Sequence, residues 1–324
     1  MKAVQIHSFG GPEVLTYEEI ETPKPHQGEV VVKVSAVGAN YADTMRRQNH
    51  YVVDTPLPFI PGSEVVGEVV ELGEGVTNVQ QGDRVVALVG ENGYAEYVRI
   101  NAQTLIPVPE TLSDHEAAAL PLQGLSAYHI IKTMGRLEKG ESILIHAAAG
   151  GVGTLAVQLA KRFGAGNIIA TASTPEKREL ALSLGADQVV DYTKDGWEKE
   201  VLELTEGHGA DVALEMAGGK IFDQTLDCLA PFGRLVVYGA ASGELPNLEP
   251  FRLLEKNQSV IGFFLPQMMA KPELFQQSLQ ELVSLAARKE LTFEIGGVYP
   301  LKEAARLHED MENRRTSGKL ILEP

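Results

Sequence analysis

Ser142-Ile143-Leu144-Ile145-His146-Ala147-Ala148-Ala149-Gly150-Gly151-Val152-Gly153-Thr154 is the stretch on which the fold turns. It passes from a short apolar strand through a glycine turn into an amphipathic helix, Thr154 to Phe163, carrying Leu155, Leu159 and Phe163. From Ala148 to Gly153 it reads Ala-x-Gly-x-x-Gly. Strand, glycine turn and helix in that order are what a dinucleotide-binding turn requires. The glycines let backbone N–H groups approach a pyrophosphate, and the helix N-terminus adds unpaired donors and a favourable dipole. On its own the pattern also fits a tight strand-to-helix connection with no ligand, so the flanking elements decide.

Downstream, Asn167 to Thr171 reads as a second strand, Glu176 to Leu184 as a helix ended by Gly185, and Gln188-Val189-Val190 as a third strand. This is a βαβαβ half-unit. Asp211 to Leu214, Gly233 to Tyr238 and Ser259 to Phe264 supply three more strands, which completes a doubly wound parallel sheet of the α/β class, a Rossmann domain. In that context Ala148, Gly150, Gly151, Val152 and Gly153 are the candidate phosphate-binding residues. About twenty residues on, an NAD site carries Asp or Glu for the ribose 2′-hydroxyl. Here the chain reads Ala170-Thr171-Ala172-Ser173-Thr174, followed by Lys177 and Arg178. Either base alone reads as a solvated helix face. The missing acid together with the two bases predicts a 2′-phosphate and hence NADPH.

Upstream, about the first 105 residues are Val- and Gly-rich, with short runs such as Glu29 to Val34 and Gly82 to Leu88 that predict a β-rich, barrel-like unit. Pro107, Pro109 and Ser113-Asp114-His115-Glu116 read as a linker feeding a helix N-terminus. The expected organisation is a β-rich domain over 1–121, a Rossmann domain over 122–265 and a C-terminal segment over 266–324. That segment holds a helix from Pro272 to Lys289 and ends in Lys319-Leu320-Ile321-Leu322. It is too short for a core of its own and is expected to pack back on the first domain.

Bulk properties narrow the class. With 324 residues, 44% hydrophobic and 22% charged, the chain has an ordinary globular composition. A formal charge of −16 argues against nucleic-acid partners and anionic membranes. No apolar run has the length of a spanning helix, and the N-terminus lacks a secretory pattern, so a cytoplasmic location is expected. Cys228 is the only cysteine, which excludes an intrachain disulfide and reads as a small core residue.

The stretch Gly38-Ala39-Asn40-Tyr41-Ala42-Asp43, then Tyr51, Pro58-Phe59-Ile60-Pro61-Gly62-Ser63-Glu64-Val65-Val66-Gly67, Leu122 to Tyr128, the glycine turn and Thr316-Ser317-Gly318-Lys319 together resemble the zinc-free quinone oxidoreductases. These form the zeta-crystallin-like branch of the medium-chain dehydrogenase/reductase superfamily. The resemblance implies a GroES-like catalytic domain, a Rossmann domain and a cofactor in the cleft between them. Zinc alcohol dehydrogenases of that superfamily carry Cys where this chain has Asn40 and His where it has Ser63, so no metal is expected. His50 and His146 are lone histidines and read as surface or packing residues.

By the same resemblance Asn40, Tyr41 and Tyr51 line the substrate site as donors for a forming oxyanion. Asn40, Ser126, Gly151, Val152, Ser173, Lys177, Tyr192, Gly239, Phe264 and Arg314 contact the cofactor. Two readings of Tyr51 stand, proton donor or loop packing residue, and Asn40 also fits a structural turn. The implied activity is NADPH-dependent reduction of a quinone. The alternatives are reduction of an alkenal, enone or enoyl thioester, and, in a different class, an NADPH-binding structural or sensor protein. The partner is a small-molecule quinone or enone, and the resemblance implies a homodimer formed along the last Rossmann strand.

Overall fold

Valine-rich segments dominate the N-terminal third, and β-branched side chains pack well on a pleated surface. They form β1 (Lys2–Gln5), β2 (Thr16–Glu19), β3 (Glu29–Ala39), β4 (Glu64–Leu72), β5 (Arg84–Leu88), β6 (Tyr97–Asn101) and β7 (Ile106–Pro107). Helix α1 (Tyr41–Arg47) interrupts them, and α2 (Asp114–Ala118) and α3 (Leu125–Tyr128) follow. In the middle of the chain strands and helices alternate as β8 (Ser142–Ile145), α4 (Gly151–Phe163), β9 (Asn167–Thr171), α5 (Pro175–Ser183), β10 (Gln188–Val190), α6 (Trp197–Leu204), β11 (Ala210–Glu215), α7 (Gly219–Asp227), β12 (Leu229–Val237) and β13 (Ser259–Gly262). Last come α8 (Leu265–Met269), α9 (Pro272–Ala287), β14 (Ile295–Pro300), α10 (Ala304–Glu312) and β15 (Lys319–Glu323).

The structure, a computed structural model, describes every residue from Met1 to Pro324. Its contacts divide the chain into one unit of Met1–Leu122 with Val283–Pro324 and a second of Gln123–Leu282. In the first unit the strand order is β14-β15-β3-β4-β5-β7, with β6 also on β3. Two register shifts along the β3–β4 pair bend the long central strand. The final strand β15 lies antiparallel to β3, Leu320 opposite Ala39, and parallel to β14. The tail thus joins the N-terminal unit, but from Val283, inside α9, and not from residue 266. Residues 266–282 stay with the second unit, where Leu279 and Leu282 are buried and Ser278 bonds the His129 ring at 3.1 Å.

The second unit is a six-stranded sheet in the order β10-β9-β8-β11-β12-β13, with every neighbouring pair parallel. Ile143, Leu144 and Ile145 are fully buried, which explains why β8 is apolar on both faces. Burying each such side chain stabilises the fold by about 1.5–3 kcal/mol. Helix α4 turns Leu155, Ala156, Leu159 and Ala160 into the core and ends at Gly164, whose φ of 91° is left-handed. The strand order reverses between β8 and β11, the switch point at which doubly wound sheets bind ligands.

Candidate functional site

Because all six strands of the second unit run parallel, their carboxyl ends share one edge. At the end of β8, Ala147 takes a φ of 49° and redirects the chain into the glycine turn. Gly153 sits so close beneath that turn that a Cβ would lie 2.2 Å from the Ala147 carbonyl oxygen and 2.6 Å from the Ala148 Cα. Gln123 packs its amide against Gly151. The first backbone bond of α4 runs from Thr154 N–H to Gly150 O at 2.9 Å, so the N–H groups of Gly151, Val152 and Gly153 have no carbonyl within the helix. No side chain caps this end, and its first turn has no acid. By contrast Thr174 caps α5, and Ser113 with Glu116 forms a capping box on α2. An uncapped N-terminus of three donors is suited to an anion.

Ser173 and Lys177 follow β9, Tyr192 follows β10, Gly239 follows β12 and Phe264 follows β13, so the fold brings these expected contacts to the same edge. Strand β13 itself stops at Gly262, short of the expected Phe264. Ser126 is buried within α3, which packs against α4. Arg178, expected to share the 2′-phosphate role, stands on α5 and is engaged within the protein. Its guanidinium pairs with Asp191 at 3.2 Å and donates to Ala172 O at 3.0 Å, which neutralises its charge and folds it inward. Lys177 lies in the first turn of the same helix.

In the first unit Asn40 caps α1, Tyr41 begins it, and Tyr51 lies just beyond its end. Asn40, expected as a donor to a substrate oxygen, is bonded within the protein. Its amide N–H groups go to Gly38 O and Glu64 Oε1, each at 3.0 Å, and its Oδ1 accepts from Lys319 Nζ at 3.0 Å. Lys319 and Glu64 are themselves ion-paired and fully buried, 1% and 0% exposed. Glu64 Oε2 also accepts from Leu122 N–H. Gly38 makes room for this network, since a Cβ there would fall 2.6 Å from Lys319 Cε and 2.7 Å from Glu64 Oε1.

A second buried chain holds the same helix. Asp43 accepts from the Asn40 and Gly62 N–H groups and from the Tyr94 hydroxyl. Arg47 must donate to His308 Nδ1, so His308 Nε2 carries its proton toward Tyr94 and the Tyr94 hydroxyl points at Asp43. Burial, reinforced by Arg47, lowers His308 to about 3, so the ring is neutral. Burial pushes the Asp43 carboxyl up to about 6 against the pull of its donors and of Lys319. Burial, with the Asp43 charge, also raises the Tyr51 hydroxyl, whose ring lies 5.9 Å from the Arg46 guanidinium. Tyr41 is raised by burial and by Glu312, with the charge of Arg314 opposing. Arg314 is exposed, with a left-handed φ of 58°. Both Tyr41 and Tyr51 therefore keep their protons at neutral pH and are hydrogen-bond donors.

Sequence reasoning missed the Glu64–Lys319 pair and the Asp43–Tyr94–His308 chain. A lysine opening the apolar run Lys319-Leu320-Ile321-Leu322 was the one signal for the former; nothing local announced the latter. No three His, Cys, Asp or Glu side chains gather as a ligand set. Ser63 donates to Gly90 O, His50 is exposed, and His146 is held between the hydroxyls of Thr171 and Thr225 at 2.9 Å each. Cys228 is a core residue whose thiol burial pushes up to about 12.

Residues 26–110 match the alcohol dehydrogenase GroES-like domain, and residues 151–286 match the family model named zinc-binding dehydrogenase. A quinone oxidoreductase of Pseudomonas aeruginosa is 37% identical over all of this chain and 99% of its own length. A 2-haloacrylate reductase of a Burkholderia species is 32% identical over 99% of this chain and 98% of its own. The structure of Escherichia coli quinone oxidoreductase complexed with NADPH superposes with a TM-score of 0.95 at 33% identity, covering 100% of both chains. The GroES-like and Rossmann folds expected from sequence are thus present, and the chain belongs to the quinone oxidoreductase branch of the medium-chain dehydrogenase/reductase superfamily.

Proposed function

We propose that this oxidoreductase binds NADPH on its Rossmann unit and reduces a quinone without a metal. The observation that carries the reading is the uncapped start of α4, where Gly151, Val152 and Gly153 present three backbone donors beside a strand edge that also bears Lys177. These residues fit the group. The donors suit its pyrophosphate, and Lys177, with no acid at the end of β9, suits its 2′-phosphate. The solved E. coli relative in complex with NADPH supports the same cofactor.

When bound, NADPH supplies a hydride. The protein orients the acceptor and stabilises the charge that develops on its oxygen. Tyr51 and Tyr41, both protonated at neutral pH, are the donors for that oxygen. Asn40 acts behind them, fixed by Lys319 and Glu64 at the N-terminus of α1. With Asn40 and Ser63 at the positions where zinc relatives carry Cys and His, the protein takes acceptors that delocalise charge themselves, as quinones do. A second acceptor class, activated carbon–carbon double bonds, is supported by the haloacrylate-reducing relative and by the proton available on Tyr51.

The assembly is proposed to be a homodimer. Strand β13 ends its sheet with one side unpaired, and Leu245, Phe251 and Leu254 on the same unit are 77%, 83% and 61% exposed. No helix is long and apolar enough to cross a membrane.

Lys177→Ala tests the cofactor assignment. A lost charge-assisted hydrogen bond is worth about 1.5–3 kcal/mol, so NADPH affinity should fall about tenfold or more while NADH affinity stays within about twofold. Fluorescence titration reads both, and an equal loss would remove the 2′-phosphate role.

A further inference from the structure

Five of the six strand ends on the Rossmann edge carry a residue already assigned to cofactor binding; the end of β11 does not. Its last residue, Glu215, is fully buried with its carboxylate half satisfied. Oε1 accepts from the N–H groups of Ala217 and Gly218 at 2.6 and 2.8 Å. Oε2 has no hydrogen-bond partner. A buried polar atom left unpaired costs about 1–3 kcal/mol, which a fold retains where a ligand can use it.

Location says which ligand. Leu214 pairs with Ile145 of β8, and His146 N–H donates to Leu214 O at 3.2 Å, so Glu215 stands level with the start of the glycine turn. It therefore sits at the switch point itself. Strands β9 and β10 lie on the side bearing Lys177, the 2′-phosphate and adenosine half; β11, β12 and β13 form the other half of the sheet. The loops closing over Glu215 are tied to each other, Ala241 N–H to Met216 O at 2.8 Å and Ser242 N–H to Ala217 O at 2.9 Å. They contain Gly218, Gly219, Gly239 and Gly243, three of them with positive φ, so the cover is built of residues that can rearrange.

We propose that Glu215 is a cofactor contact for the nicotinamide-ribose half of NADPH, its Oε2 accepting from a hydroxyl or amide donor of that half once the glycine loops 216–219 and 239–243 shift. The inference rests on the NADPH reading and deepens it. Two ligands separate the two claims: NADPH, and adenosine 2′,5′-bisphosphate, which lacks the nicotinamide half.

Glu215→Gln keeps an oxygen for Ala217 and Gly218 and presents N–H in place of Oε2; Glu215→Ala removes both. Each is expected to weaken NADPH about tenfold in a fluorescence titration while leaving the bisphosphate within about twofold by calorimetry. Should the alanine variant fail to fold, the isosteric glutamine variant decides. Unchanged NADPH affinity in the glutamine variant, or equal loss for both ligands, overturns the contact. Wild-type protein that binds the bisphosphate but not NADPH overturns the contact and leaves the 2′-phosphate site standing, and wild type that binds neither overturns both.

Discussion

Gly153→Ala is expected to weaken NADPH binding by about 10- to 100-fold. The added Cβ would sit 2.2 Å from Ala147 O and 2.6 Å from Ala148 Cα. Both are backbone atoms of the turn, so no side-chain rotation relieves the clash. Helix α4 must retreat from β8, and the N–H groups of Gly151 and Val152 move with it. Overpacking of this kind costs about 1–3 kcal/mol, and about 1.4 kcal/mol is one decade in affinity. At Gly151 the obstruction is the far end of the Gln123 side chain, which can swing away, so Gly151→Ala is the milder control. Calorimetric titration of both variants checks the order, and an unimpaired Gly153→Ala protein would show that α4 does not hold the phosphates.

Lys319→Ala should cost the first unit about 3–5 kcal/mol, because it leaves Glu64 fully buried and without its ion partner. Urea unfolding measures this as a lower midpoint. Replacing the pair together, Lys319→Met with Glu64→Leu, should recover most of the loss, since the dominant penalty is an uncompensated buried charge. That double variant would still have lost the Lys319 contact to Asn40 Oδ1 and the acceptor for Leu122 N–H. A single variant as stable as wild type would mean that the pair contributes little.

Much of the Rossmann unit was legible because its signals are local. An apolar run, a glycine turn and a 3.6-residue pattern occupy consecutive positions, and Ser142–Gly153 sufficed to start the sheet. Boundaries slipped where tertiary contacts override local pattern. Thus β13 ends at Gly262, and α9 hands its first ten or so residues to one unit and its last to the other.

The electrostatics were less legible. That Arg178 faces Asp191, thirteen positions away across a strand, is not encoded in the helix that carries it. Asn40 was readable as a polar residue in a functional stretch, but its partners Glu64 and Lys319 lie 24 and 279 residues off. The neutral His308 ring behind Tyr94 is 214 residues from it. The Lys319 network forms only when the last strand β15 returns to β3, so it belongs to topology and not to motif.

The central claim, transfer of hydride from NADPH to a quinone without a metal, is tested most directly by following NADPH oxidation with a simple para-quinone before and after exhaustive chelation. Turnover that is unchanged by the chelator and clearly faster with NADPH than with NADH is the predicted result. No oxidation across ortho- and para-quinones, or a rate that chelation abolishes and zinc restores, would contradict it.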